Sequence, residues 1–151
     1  MNMKTLILGL GNPIVTDDGV GIEIAQRIGE DNPGLEVIET SEAGLALLDH
    51  IVGCDKLVII DSIKTGKGKP GALYKLERGD FSGTMDLSCS HGVDLASVFE
   101  VGEGLRYKMP QSVSIYAIEV KDNSTFGEGC TKEIRDRIPF IARQIVREEK
   151  L

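Results

Sequence analysis

With three cysteines, two histidines and no apolar run of membrane-spanning length, this chain closes off several function classes before any motif is read. The cysteines, Cys54, Cys89 and Cys130, are odd in number, widely spaced and without a CxxC pair. That argues against a disulfide framework and against structural zinc, and makes a reducing cytoplasm the expected compartment. No stretch approaches the ~20 apolar residues of a membrane span. The opening MNMKTLILGLGNP carries a short apolar run broken by Gly9, Gly11, Asn12 and Pro13, with no small-residue cleavage site after it. Basic residues are outnumbered, 17 against 24 acids, for a net charge of −7. The field of the whole molecule therefore repels polyanions, and nucleic acid is a disfavoured partner.

What is present describes an ordinary globular protein, 41% hydrophobic and 27% charged over 151 residues. That length predicts a single domain over residues 1–151. Apolar runs and amphipathic stretches alternate along it. Strands are expected at Thr5 to Leu10, Leu35 to Thr40, Lys56 to Asp61, Ala72 to Glu77 and from Ser112. Helices are expected at Gly19 to Ile28, Gly44 to Ile51, from Val93, and at Thr131 to Glu149, the last interrupted by Pro139. Strand and helix in turn imply right-handed crossovers, hence an α/β class: a three-layer α/β/α sandwich on a mostly parallel sheet of about five strands. In such sheets the functional site lies beyond the carboxyl ends of the strands.

Candidate chemistry gathers at those ends. GLGNPIVTDDGVG follows the first strand, and its glycines miss the G-x-G-x-x-G spacing of a dinucleotide turn because Ile14 stands at the third position. Two acids follow instead. Asp17 or Thr16 is expected to cap the next helix, leaving Asp18 to face the cleft. Asp61 closes LVIID, where either a functional acid or a turn-forming one would stand. His91, in SCSHGVDL, precedes a helix and is either a structural loop histidine or a partner of those acids. His50 lies within the helix LLDHIVG, where a surface or packing role is expected. Two carboxylates and one imidazole suit a divalent transition metal with open positions, and fit structural zinc poorly. Cys89, two residues from His91, is either half of a Cys/His nucleophile pair or an inert buried thiol. The basic, glycine-rich KTGKGKPG, Lys64 to Gly71, either flanks the cleft or is a solvated connection.

In order and spacing, GLGNPIVTDDGVGIEI, EAGLALL, LVIIDSI and SHGVDLASVF resemble the nickel-iron hydrogenase maturation endopeptidases over most of the chain. The resemblance implies a metal-dependent endopeptidase that removes a short C-terminal tail from the hydrogenase large-subunit precursor once nickel has been inserted. It matches Asp18, Asp61 and His91 to that family's metal-contacting and catalytic residues, with the nickel carried by the precursor rather than held tightly by the free protein. The partner is then that precursor, with no membrane or nucleic acid, and the protein is expected to be a cytoplasmic monomer. One departure is ETSEAG, where Glu39 stands in the family's acidic place but Thr40, Ser41 and Glu42 replace a small Gly-Gly-Thr-like turn before Gly44. GLGNP also opens peptidyl-tRNA hydrolases, but the histidine-bearing stretch that follows there is replaced here by IVTDDGVG. A nickel- or precursor-binding chaperone using the same three residues without hydrolysis is the non-enzymatic alternative.

Overall fold

The computed structural model describes residues 3–42, 44–77 and 95–151. Among these residues five strands, β1 (Thr5–Leu10), β2 (Glu36–Thr40), β3 (Lys56–Ile63), β4 (Leu73–Glu77) and β5 (Ser112–Glu119), form one sheet in the order β2-β1-β3-β5-β4. All pairings are parallel except that of β4, which runs antiparallel along the outer side of β5. Among the described residues four α-helices accompany it: α1 (Val20–Asp31), the single turn α2 (Leu48–Ile51), α3 (Leu95–Gly104) and α4 (Lys132–Glu149).

Strand alternation sorts the core into two layers. Ile7 of β1 and Val58 and Ile60 of β3 pack with Ile24 and Ile28 of α1 and Ile134, Ile138, Ile141 and Ile145 of α4. Their neighbours Leu6, Leu8, Leu57 and Ile59 point the other way, onto Leu48, Ile51, Leu95 and Phe99 of α2 and α3. Helices on both faces of a mostly parallel sheet make the expected three-layer sandwich.

Pro139 does not interrupt α4, contrary to the sequence expectation; the helix runs unbroken from Lys132 to Glu149. A proline inside a helix costs about 3 kcal/mol. Four buried isoleucines along one stripe, each contributing about 1.5–3 kcal/mol, outweigh that cost. The carbonyl that loses its partner belongs to Arg135, on the exposed side where water can reach it. The second helix is also shorter than expected, because residues Gly44–Leu47 wind as a 3-10 turn before α2 begins. The expected start of the third helix at Val93 lies outside the described residues.

The amino end of β3 is closed by Glu149. Its carboxylate meets the ammonium groups of Lys56 at 3.2 Å and Lys75 at 3.4 Å, and Tyr116 Oη donates to it at 2.5 Å. This buried cluster fastens the end of α4 to the sheet, opposite the rim where the strands deliver their loops.

Candidate active site at the carboxyl ends of β1 and β3

The sheet order makes a crevice between β1 and β3. From β1 the chain crosses to β2 on one side, while β3 lies on the other, so the loops leaving the two strands part company. β1 ends at Leu10, and its last partner on β3 is Ile60, opposite Gly9. Beyond that point β3 continues to Ile63, held only by β5. Asp61 therefore lies within the strand rather than at its end, as expected from sequence, but at the first position past its pairing with β1. By alternation it shares the face of Leu57 and Ile59, the face on which α3 packs.

The opening loop turns back over this crevice. Thr16–Gly19 wind as a single 3-10 turn, and α1 follows directly. Such a tight return requires backbone on backbone. A Cβ at Gly21 would stand 2.3 Å from the carbonyl oxygen of Ile60 and 2.6 Å from that of Leu10, and one at Gly11 would stand 2.3 Å from that of Asp18. The glycines thus serve close packing of the loop and α1 on the strand ends, in place of a phosphate turn.

The two adjacent acids take different partners. Neither Asp17 nor Thr16 caps α1, whose start at Gly19 has no side-chain cap. Asp17 is fully buried and accepts hydrogen bonds from Thr131 N at 2.7 Å and Thr131 Oγ1 at 3.0 Å, at the first turn of α4. Thr16 Oγ1 donates instead to the carbonyl of Thr125. The capping expectation fails because the free N–H that Asp17 satisfies lies on a helix 114 residues away.

Asp18 turns toward the crevice. Its Oδ2 accepts from the backbone N–H of Asn12 at 3.0 Å, and its Oδ1 accepts from Ser62 Oγ at 3.0 Å. The N–H of Ser62 donates to Asp61 Oδ1 at 2.7 Å. One fully buried serine therefore holds a carboxylate from the opening loop and another from β3, and both acids are nearly inaccessible, at 3% and 2% exposure. Sequence reasoning had not singled out Ser62; its signal was a hydroxyl directly after the acid, in LVIIDSI. His91 and Cys89 lie outside the described residues. Among the described residues, no three His, Cys, Asp or Glu side chains gather into a metal site.

Other candidates have structural roles. His50 Nε2 pairs with Glu42 Oε1 at 3.1 Å on the surface. Cys130 is buried, donates to Glu23 Oε2 at 2.6 Å, and has its thiol pushed well above the usual value by burial and then by that carboxylate. Cys54 is raised chiefly by burial. Both are free thiols, and neither has thiolate character.

The Lys64–Gly71 segment is built, not loose. Glu119, at the end of β5 and 1% exposed, accepts from Thr65 N at 2.7 Å, Thr65 Oγ1 and Tyr74 Oη at 3.0 Å. Its own carbonyl accepts from Gly71 N at 2.8 Å. Burial alone would raise the Glu119 carboxyl, but the bonds from Thr65, Tyr74 and the Gly68 N–H hold it below its ordinary value.

Comparison with known proteins places this geometry. The model of a family described as hydrogenase maturation protease matches residues 20–148, beginning just after Asp18. The Hydrogenase 2 maturation protease of Escherichia coli is 31% identical over 77 residues, which cover 49% of this chain and 47% of that protein. The chain thus aligns with about half the length of that relative. The hydrogenase expression/formation protein HupD of Rhodobacter capsulatus is 22% identical over 151 residues, 96% of this chain and 70% of its own. The fold is shared with the HybD hydrogenase-maturating endopeptidase of Escherichia coli (23% identity, TM-score 0.77, 97% of this chain and 94% of that one). It is shared equally with HybD from Thermococcus kodakarensis (24% identity, TM-score 0.77, 96% and 98%). A family model that spans most of the chain leads to one conclusion: the chain belongs to the hydrogenase maturation protease family.

Proposed function

We infer that this protein is the endopeptidase that removes the C-terminal tail of a nickel-iron hydrogenase large-subunit precursor after nickel insertion. The observation that carries the reading is the pair Asp18 and Asp61, joined through Ser62 at the crevice between β1 and β3, in a chain of the maturation protease family. Nickel belongs to the substrate in this account, and Asp18, Asp61 and His91 contact it when the precursor docks. Two carboxylate oxygens and an imidazole nitrogen are a donor set that suits a divalent transition metal and leaves positions open. Nickel so held supplies Lewis acidity at the scissile carbonyl or at the attacking water.

The chain's own residues do the rest. Ser62 Oγ and the Asn12 N–H each hold one oxygen of Asp18, and the Ser62 N–H holds one oxygen of Asp61, so each carboxylate is oriented before substrate arrives. One of them accepts the proton of the attacking water. His91 stands four positions before Leu95, the first residue of α3, the helix that packs on Asp61's face of the sheet. Because three side chains alone make a weak site, nickel in the precursor completes it, and recognition and licensing become one event. The protein is proposed to act as a monomer in the cytoplasm; its buried free thiols are in keeping with a reducing compartment.

The test is to incubate the protein with nickel-loaded precursor and follow the intact mass of the large subunit. Loss of the tail is expected with the native protein. No loss is expected with Asp61→Asn or His91→Ala, each retaining the native circular dichroism spectrum. Full processing by either variant would remove that residue from the site. Tight nickel binding by the isolated protein without any tail loss would indicate a chaperone instead.

A further inference from the structure

The most exposed large apolar side chain among the described residues belongs to Phe126, 80% exposed in the β5–α4 connection. Its neighbour across the backbone is Ile14 of the opening loop, 53% exposed. The two segments meet where Gly127 N donates to the carbonyl of Ile14 at 2.9 Å and Thr16 N to that of Gly127 at 3.0 Å. Phe140 on α4 is also exposed, but the Arg143 guanidinium lies over its ring at 5.0 Å.

Neither side chain sits on a loose loop. Ile14 N donates to Asn12 Oδ1 at 3.2 Å. Next to Phe126, Thr125 N donates to Asp122 Oδ1 at 3.0 Å, and the Thr125 carbonyl accepts from Thr16 Oγ1. Asp17 N adds a further link, to the carbonyl of Asp122 at 3.1 Å. These bonds hold Thr16 at a φ of +35°, in a left-handed conformation that β-branched residues avoid. Strain of that kind persists only where the surroundings over-determine it, and it collects at functional sites. A phenylalanine displayed on backbone fixed in this way has little freedom left to lose on binding, which is what an interface anchor needs.

The pair belongs to the loop that carries the chemistry. Asn12, whose N–H holds Asp18 Oδ2, precedes Ile14 by two residues, a span of at most about 7 Å. Asp18 N in turn donates to the carbonyl of Val15, the residue after Ile14, at 2.8 Å. A precursor whose nickel reaches Asp18 and Asp61 therefore has to lie against this loop. Resting on the protease reading above, we propose that Ile14 and Phe126 form an apolar docking patch for the precursor, which takes an apolar side chain of the large subunit adjoining its nickel site. Seating that side chain positions the precursor over Asp18 and Asp61 before the bond is cut.

The test uses the full-length protein and the nickel-loaded precursor. Phe126→Ala is expected to raise KM about tenfold with kcat within about twofold, at an unchanged urea midpoint because the ring is exposed. Phe126→Leu should keep KM within about threefold of native, and Phe140→Ala should leave it unchanged. Ile14→Ala should raise KM less than Phe126→Ala does, and the double variant should lose less than the product of the two. The ratio of native to Phe126→Ala kcat/KM should stay constant between roughly 50 and 300 mM salt, since the contact is apolar. Binding of nickel-free precursor, followed by fluorescence anisotropy, should rank the variants in the same order without any cleavage. Cleavage with unchanged KM and anisotropy in Phe126→Ala, or strictly multiplicative losses in the double variant, would overturn the proposal and leave the protease reading standing. A native dimer that Phe126→Ala splits, with KM unchanged, would place a second copy of this chain on the patch and overturn the proposal as well. A native protein that binds the precursor with this Phe126 dependence but never cleaves it would refute the protease reading and leave the docking patch standing.

Discussion

Asp17 Oδ1 lies 2.7 Å from the backbone nitrogen of Thr131, so the first acid of the Asp17–Asp18 pair fastens the last helix of the chain to the loop that begins the site. The second acid, its neighbour, turns to Ser62. On the proposed reading structure and chemistry are thereby divided between two adjacent carboxylates, and substitution should separate them. Asp17→Ala removes the buried carboxylate that accepts from both Thr131 N and Thr131 Oγ1 and should lower unfolding free energy by about 1.5–3 kcal/mol in urea titration. Asp18→Asn should cost about 1 kcal/mol or less, because an amide oxygen still accepts one of its hydrogen bonds, yet should abolish tail removal.

Ser62→Ala removes the hydroxyl that orients Asp18 and leaves intact the N–H that orients Asp61. A hydrogen bond to a charged group contributes about 1.5–3 kcal/mol, so kcat should fall roughly 10- to 100-fold. KM should hold within about twofold, because the substrate's docking surface is untouched. Steady-state processing rates at saturating and limiting precursor separate the two constants.

The strands were legible because they rest on local patterns, the continuous apolar runs of TLILGL and KLVII, and the meeting of Asp18 and Asp61 at Ser62 follows from where those runs end. Asp17's role was not, since its partner Thr131 is remote in sequence and adjacent only in the fold. Pro139 misled for a related reason: propensity argued for a break, and the isoleucine stripe of α4, packed against α1 and the sheet, overrode it. Glu119 could have been found. It ends β5 just as Asp61 follows the apolar run of β3, and the same positional test would have marked it as the acid that organises the lysine-bearing loop.

Gly21→Ala should be among the most damaging single-methyl changes in the molecule. The new Cβ would meet two backbone oxygens, of Ile60 at 2.3 Å and of Leu10 at 2.6 Å, and neither strand end can yield without moving the site. A loss of about 3 kcal/mol is expected, read as a lower urea midpoint at unchanged slope. Processing should fall further than stability does, because the strand ends that shift carry Asp61 itself and the loop of Asp18.

Glu119 makes stability depend on acid pH. Its folded-state carboxyl is held below the ordinary value, so its contribution is complete above the unfolded-state value of roughly 4.3 and is lost as pH falls through the lower folded value. Glu119→Gln should therefore be less stable than the native protein at pH 7. The difference should shrink on acidification below about pH 4, with urea midpoints across pH 3–7 as the measurement. A difference constant across that range would show that the ionised form is not what orders the loop.

The most direct measurement sets nickel-loaded against nickel-free precursor under identical conditions, with the mass of the large subunit followed over time. The account predicts tail loss from the nickel-loaded form alone, because Asp18, Asp61 and His91 need the substrate's metal to complete the site. Equal cleavage of both forms would contradict it.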